Sequence, residues 1–148
     1  MISVVIPLYN KASTIVRCLD SVLNQTLLPD ELIIINDGST DNSLEVVKNY
    51  VDSNSTVTIQ IVEQKNSGVS HTRNKGVSLA KNQYVAFLDA DDEWDELFLE
   101  CAKGILIRYD DLSLYTCKHQ ICEKGVGCFV PKQEFGAEQH GIIDNYYE

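Results

Sequence analysis

Residues 87–95, Phe-Leu-Asp-Ala-Asp-Asp-Glu-Trp-Asp, set three carboxylates, Asp89, Asp91 and Asp92, almost side by side after an apolar run. Clustered carboxylates repel one another unless a cation offsets them, and little positive charge stands near these in the sequence. A hard divalent cation, Mg²⁺ or Mn²⁺, suits that demand, because it is held by one or two carboxylates while waters and a substrate's phosphates complete its octahedron. The chemistry suggested is a metal-dependent site for a nucleotide's phosphates. A plainer role is that Asp91 or Asp92 N-caps a helix over about residues 95–109, since Asp is favoured at helix N-termini.

The elements around the cluster decide between these roles. Gln83-Tyr-Val-Ala-Phe-Leu88 reads as a buried strand, so the carboxylates emerge at its carboxyl end, where open α/β sheets bind ligands. Upstream, residues 2–6 form a β-branched strand ended by Pro7, and Ile15, Leu19, Val22 and Leu23 give residues 12–25 a helical spacing. Residues 31–36 form a second buried strand, after which Ser39, Thr40 or Asp41 caps a helix reaching about Val51. A third strand over 56–62 and a helix over 70–80 complete a βαβαβαβ order. That order predicts an α/β, Rossmann-like fold: a mainly parallel sheet with helices on both faces. Beyond residue 110, segments 112–116 and 127–130 read as further strands, and 132–148 is polar without clear period. A soft boundary near residue 110 therefore separates region 1–110 from 111–148.

Four loops follow the four strands and lie on one edge: 7–11, 36–41, 65–70 and 89–92. They form a crevice where the strand order reverses. Neither GxGxxG nor GxxxxGK[ST] occurs, which disfavours a dinucleotide fold and a P-loop. Arg73, with Asn74 beside it, can reach a diphosphate or a base with its guanidinium, or be a surface residue of its helix. Asp37 is either a turn carboxylate or an acceptor for a base N–H, and Tyr9 either core or a stacking surface.

Composition narrows the partners. Twelve basic and 22 acidic residues give a net charge of −10 without a basic run, which argues against a nucleic-acid partner. No apolar stretch is long enough to span a membrane and no signal peptide is evident, so a cytoplasmic location is expected. The odd set of five cysteines lacks CxxC spacing and argues against a disulfide framework. Cys117, His119, Cys122 and Cys128 raise a zinc site, but their spacings match no structural zinc pattern. His71 and His140 have no nucleophile or carboxylate at a recognisable spacing.

Val4-Val-Ile-Pro-Leu-Tyr-Asn10, Ile34-Ile-Asn-Asp-Gly-Ser-Thr-Asp41, Gly68-Val-Ser-His-Thr-Arg-Asn-Lys-Gly76 and Phe87-Leu-Asp-Ala-Asp-Asp92 together resemble the family 2 glycosyltransferases of the GT-A fold. Four motifs in order over residues 1–110 make the resemblance specific. It implies a nucleotide-sugar-binding half formed by Pro7, Tyr9, Asn10, Asp37, Arg73, Asp89, Ala90 and Asp91. Asp37 would bond the base, Arg73 would lie near the nucleotide, and Asp-x-Asp would span ribose and metal, with Asp91 the metal ligand. The implied reaction displaces a nucleoside diphosphate from an anomeric carbon with inversion, aided by Mg²⁺ or Mn²⁺. The implied partners are a nucleoside-diphosphate sugar, UDP-linked first of all, and a glycan or lipid-linked acceptor. Location at the inner face of a membrane and a homodimer are compatible with this reading.

Two departures stand out. Ala12 occupies a position where many relatives carry Glu, and the chain stops well before such catalytic domains usually do. The general base is therefore expected beyond Glu148, since nothing in context selects Glu138 or Asp144. The chain is expected to hold the donor half and to transfer sugar poorly by itself. Rival readings are a nucleotidyltransferase, which lacks its Gly-rich opening loop here, and a receiver module, which needs paired acids where Tyr9 and Asn10 stand. A non-catalytic sugar-nucleotide-binding domain is a further alternative.

Overall fold

The computed structural model describes residues 1–53 and 57–108, together with the backbone of two short strands, 121–123 and 127–129. The chain divides into two units, Met1–Asp111 and Leu112–Glu148. In the first, strands β1 (Ile2–Leu8), β2 (Glu31–Asp37), β3 (Ile59–Gln64) and β4 (Tyr84–Phe87) alternate with helices α1 (Ile15–Leu23), α2 (Ser43–Ser53) and α3 (Val69–Leu79), and α4 (Phe98–Arg108) follows. The four strands form one parallel sheet in the order β3-β2-β1-β4. The chain thus builds outward from β1 through β2 to β3, then returns to add β4 on the other side of β1. In the second unit, β5 (Ile121–Glu123) pairs antiparallel with β6 (Gly127–Phe129). The expected 127–130 strand thus has a partner that the sequence reading did not identify, while 112–116 and the zinc candidates' side chains lie outside the described residues.

Helices cover both faces, three on one and one on the other. Ile2, Val4, Ile6 and Leu8 of β1 join Leu32 and Ile34 of β2 on the face packed by Ile15, Cys18, Leu19 and Val22 of α1, Val47 of α2 and Leu99 of α4. Val5, Ile33 and Ile35 point the other way, towards Leu79 at the end of α3. The alternation follows from the two-residue period of strands, and burial on both sides explains why β2 is an unbroken apolar run. Gly76 lets α3 lie close: a Cβ there would stand 2.3 Å from Val5 Cγ1. That approach fixes the helix turn carrying Thr72 and Arg73 above the carboxyl end of β1.

Several boundaries differ from the sequence expectations. β1 runs through Pro7 to Leu8 because Pro7 meets only β2 there, opposite Ile35, whereas pairing with β4 ends at Val5 and Phe87. The Leu88 N–H donates to Val5 O at 3.1 Å, so the N–H that Pro7 lacks would have pointed to the side β4 has already left. β2 and β3 extend to Asp37 and Gln64, which the sequence reading left in loops. β4, expected to be buried, pairs only with β1 among the described residues, and its Phe87 is exposed.

The helix expected from residue 95 begins at Phe98, and neither Asp91 nor Asp92 caps it: Asp95 O accepts from Phe98 N–H at 3.0 Å. The segment after α1 ties down this entry, because Gln25 Oε1 accepts from Leu99 N–H at 2.9 Å and Gln25 Nε2 donates to Asp95 O at 2.6 Å. Among the described residues no helix is long and apolar enough to cross a membrane.

Candidate functional site

The four loops meet beyond the carboxyl ends of β1 and β4, where the strand order reverses. They enclose a crevice of about 440 Å³ lined by Pro7, Tyr9, Lys11, Asp37, Thr72, Asp89, Ala90 and Asp91, among others. Tyr9 stands on its wall with 45% of its surface exposed.

The first two loops are locked together by Asn10. Its φ of 51° lies in the left-handed region, which Asn tolerates better than most residues. That conformation aims Oδ1 at the second loop, where it accepts from Thr40 N–H at 2.7 Å and Asp41 N–H at 3.2 Å. Asp41 returns the bond by accepting from Ala12 N–H at 3.2 Å. Its carboxyl is held below the ordinary range chiefly by the Ser43 hydroxyl, against the effect of burial. Ala12, the departure noted in the sequence, thus meets the second loop through its backbone.

Asp37 locks the second loop to the third. It is 4% exposed; Oδ1 accepts from Gln64 Nε2 and Ser67 N–H, both at 2.8 Å, and Oδ2 from Gly68 N–H at 2.9 Å. Burial alone would push this carboxyl up, but those donors hold it below the usual carboxylate range. Gly38 completes the junction, since at φ 69° an added Cβ would stand 2.8 Å from Asn66 N.

The acidic turn is held by α1 through its backbone. Thr14 Oγ1 donates to Ala90 O at 2.9 Å, Arg17 to Asp91 O at 2.9 Å, and Asp92 N–H closes the turn onto Asp89 O. Cys18 Sγ lies 3.5 Å from Asp89 O, fully buried, and its thiol is pushed up to about 12 by burial and by the charges of Asp92, Asp91 and Asp89. It is a packing residue and not a nucleophile.

Contrary to the sequence expectation of little positive charge nearby, two carboxylates in this turn are already paired. Arg73, inside α3 and not at its start, meets Asp89 Oδ1 at 2.6 Å, and Lys11 Nζ meets Asp91 Oδ2 at 2.6 Å. The hydrogen bond from Lys11 holds the Asp91 carboxyl below its ordinary range, against the opposing effect of burial. Lys11 was missed because 80 residues separate it from its partner; its place beside Tyr-Asn was the only available signal. Gln64 was missed as well, since it was read as loop and not as strand. His71 is an exposed residue of α3, and His140 lies outside the described residues.

Residues 3–122 match the family described as Glycosyl transferase family 2. The chain is 40% identical over 126 residues to the uncharacterized glycosyltransferase YibD of Escherichia coli K12, an alignment covering 85% of this chain and 36% of YibD. It superposes on S. aureus TarS 1-349 in complex with UDP-GlcNAc with a TM-score of 0.66 and 27% identity, over 74% of this chain and 32% of that one. The mannosyltransferase PcManGT from Pyrobaculum calidifontis, in complex with GDP-Man and Mn²⁺, gives a TM-score of 0.67 at 26% identity, over 71% and 32%. The chain therefore spans about a third of the length of these relatives.

Proposed function

The chain belongs to glycosyl transferase family 2, and from that premise we propose that its crevice is the donor site of a sugar transferase acting on nucleoside-diphosphate sugars. The observation carrying this reading is the convergence of Tyr9, Asp37, Asp89 and Asp91 on one crevice at the switch point of the sheet, with Arg73 bonded to Asp89.

Each residue receives a role. Tyr9 offers its ring to the base. Asp37 has spare acceptor capacity at Oδ2 for a base N–H, although its first task is to hold the third loop. Arg73 Nε is buried with no partner among the described residues, and its Nη2 orients Asp89 towards the ribose. Pro7 and Ala90 shape the wall, and Asn10 braces the loops that carry it. Asp91 is the metal ligand.

A divalent cation fits this donor set. Among the described residues no three His, Cys, Asp or Glu side chains converge to form a cage, whereas the turn offers carboxylate oxygens of the kind Mg²⁺ or Mn²⁺ shares with a diphosphate. When bound, such a cation would neutralise the charge developing on the departing nucleoside diphosphate. We read the reaction as direct displacement with inversion, UDP-sugar as the first donor to test, and the acceptor as a glycan or lipid-linked glycan met in the cytoplasm or at the membrane's inner face. No general base is assigned among the described residues.

Calorimetric titration of UDP and GDP, each with and without Mn²⁺, into the wild type and Asp91→Ala tests the site. Metal-dependent binding to the wild type, lost in the variant, is expected. A folded wild type that binds neither nucleotide would overturn the reading.

A further inference from the structure

Lys11 is built as a movable charge on a fixed pivot. Its backbone is held at both ends: its N–H donates to Ser43 Oγ at 2.8 Å, and its carbonyl accepts from Thr14 and Ile15 N–H at 3.1 and 3.0 Å. Its side chain is 40% exposed and lies along the crevice wall, with the ammonium 2.6 Å from Asp91 Oδ2. The neighbouring pair is built differently, because Arg73 sits on a packed helix with its Nε buried. A flexible four-carbon stem ending in a compact point charge can swing within the crevice, whereas a planar guanidinium anchored on a helix is preorganised. Asp91 is also the carboxylate that the proposed donor site offers to a divalent cation, and an ammonium and a divalent cation brought to one carboxylate repel each other.

Resting on that donor-site reading, we propose that Lys11 is an exchangeable counter-ion of Asp91: the ammonium and the divalent cation compete for the carboxylate, and the displaced ammonium swings to the donor's diphosphate. Lys11 thus weakens binding of the bare metal and strengthens binding of the metal–nucleotide pair. This opposition of sign separates the proposal from a structural role, in which both affinities would fall or neither would change. It also gives the site a preference for metal arriving together with nucleotide.

The test uses the 148-residue chain and its Lys11→Gln and Lys11→Arg variants, with Mn²⁺ alone followed by electron paramagnetic resonance, and UDP or GDP titrated at saturating Mn²⁺. Lys11→Gln is expected to bind Mn²⁺ about two- to fivefold more tightly, the range set by loss of a half-exposed ion pair, and to bind nucleotide more weakly. Lys11→Arg should keep the nucleotide affinity. Unchanged or weaker Mn²⁺ binding in a folded Lys11→Gln, or unchanged nucleotide binding, would overturn the exchange. If the wild type still shows Asp91-dependent nucleotide binding, the donor site survives that result; a wild type that binds no nucleotide sinks both.

Discussion

Asp37 ends one parallel strand, Asp91 follows another, and both line the same crevice, yet the protein uses them differently. Asp37 is buried and accepts three hydrogen bonds from the third strand and its loop, whereas Asp91 has 46% of its side chain in solvent and its carboxylate is bonded by one lysine ammonium. A buried carboxylate held by two backbone N–H groups and a side-chain amide behaves as part of the architecture. One paired with a single flexible ammonium keeps oxygen available for exchange. The difference lies in what each acid holds: one sets the loops, while the other keeps a half-exposed carboxylate beside a flexible ammonium.

The sharpest way to break this comparison is Asp37→Ala. It leaves the Ser67 and Gly68 N–H groups and the Gln64 amide without their acceptor, and should cost about 3 kcal/mol of stability, since each buried donor left unsatisfied costs roughly 1–3 kcal/mol. Urea denaturation would read this directly, and a loss under about 1 kcal/mol would mean that water replaces those bonds and that Asp37 is no more structural than Asp91.

Acid titration comes next. Because the folded Asp37 carboxyl lies below its ordinary value, its contribution to stability is present above the unfolded value of about 3.9 and is lost as pH falls through the lower folded value. Asp91 acts in the same direction through Lys11, but its share should fade in high salt while that of Asp37 persists. The slope of stability against pH below 4 should therefore flatten in Asp37→Asn at any salt, and in Asp91→Asn only at low salt. Equal salt sensitivity of the two variants would contradict the contrast.

The smallest effect is that of Asp91→Ala on stability, expected within about 0.5 kcal/mol because exposed ion pairs contribute little. A loss of 2 kcal/mol or more, on the order of a broken buried network, would show that this acid too is structural.

Reading the sequence recovered the element order because the first three strands carry β-branched residues and the first helix has a 3.6-residue apolar spacing; Ile15, Leu19 and Val22 are buried as that spacing requires. The boundaries drifted where polar residues stay in a strand. Asp37 and Gln64 look like loop residues by type, yet both lie in paired strands because the β2–β3 ladder continues through Asn36 and Asp37. The buried strand expected at 83–88 is shorter and only half-covered, paired with β1 alone among the described residues, since the identity of a neighbouring strand is not written in a strand's own residues. Asn10, named for its motif, is spent on bracing two loops; its bond to Thr40 spans 30 residues, and no local pattern announces it.

The sequence by itself determined the parallel α/β architecture, the family, and the four loops that could carry chemistry, because periodicity and short motifs are local properties of the chain. Only the tertiary structure decided which carboxylate is buried and which is half-exposed beside a lysine. The sheet order 3-2-1-4 brings Lys11 to Asp91 and Arg73 to Asp89, and charge pairing depends on distances across the fold that spacing along the chain does not encode.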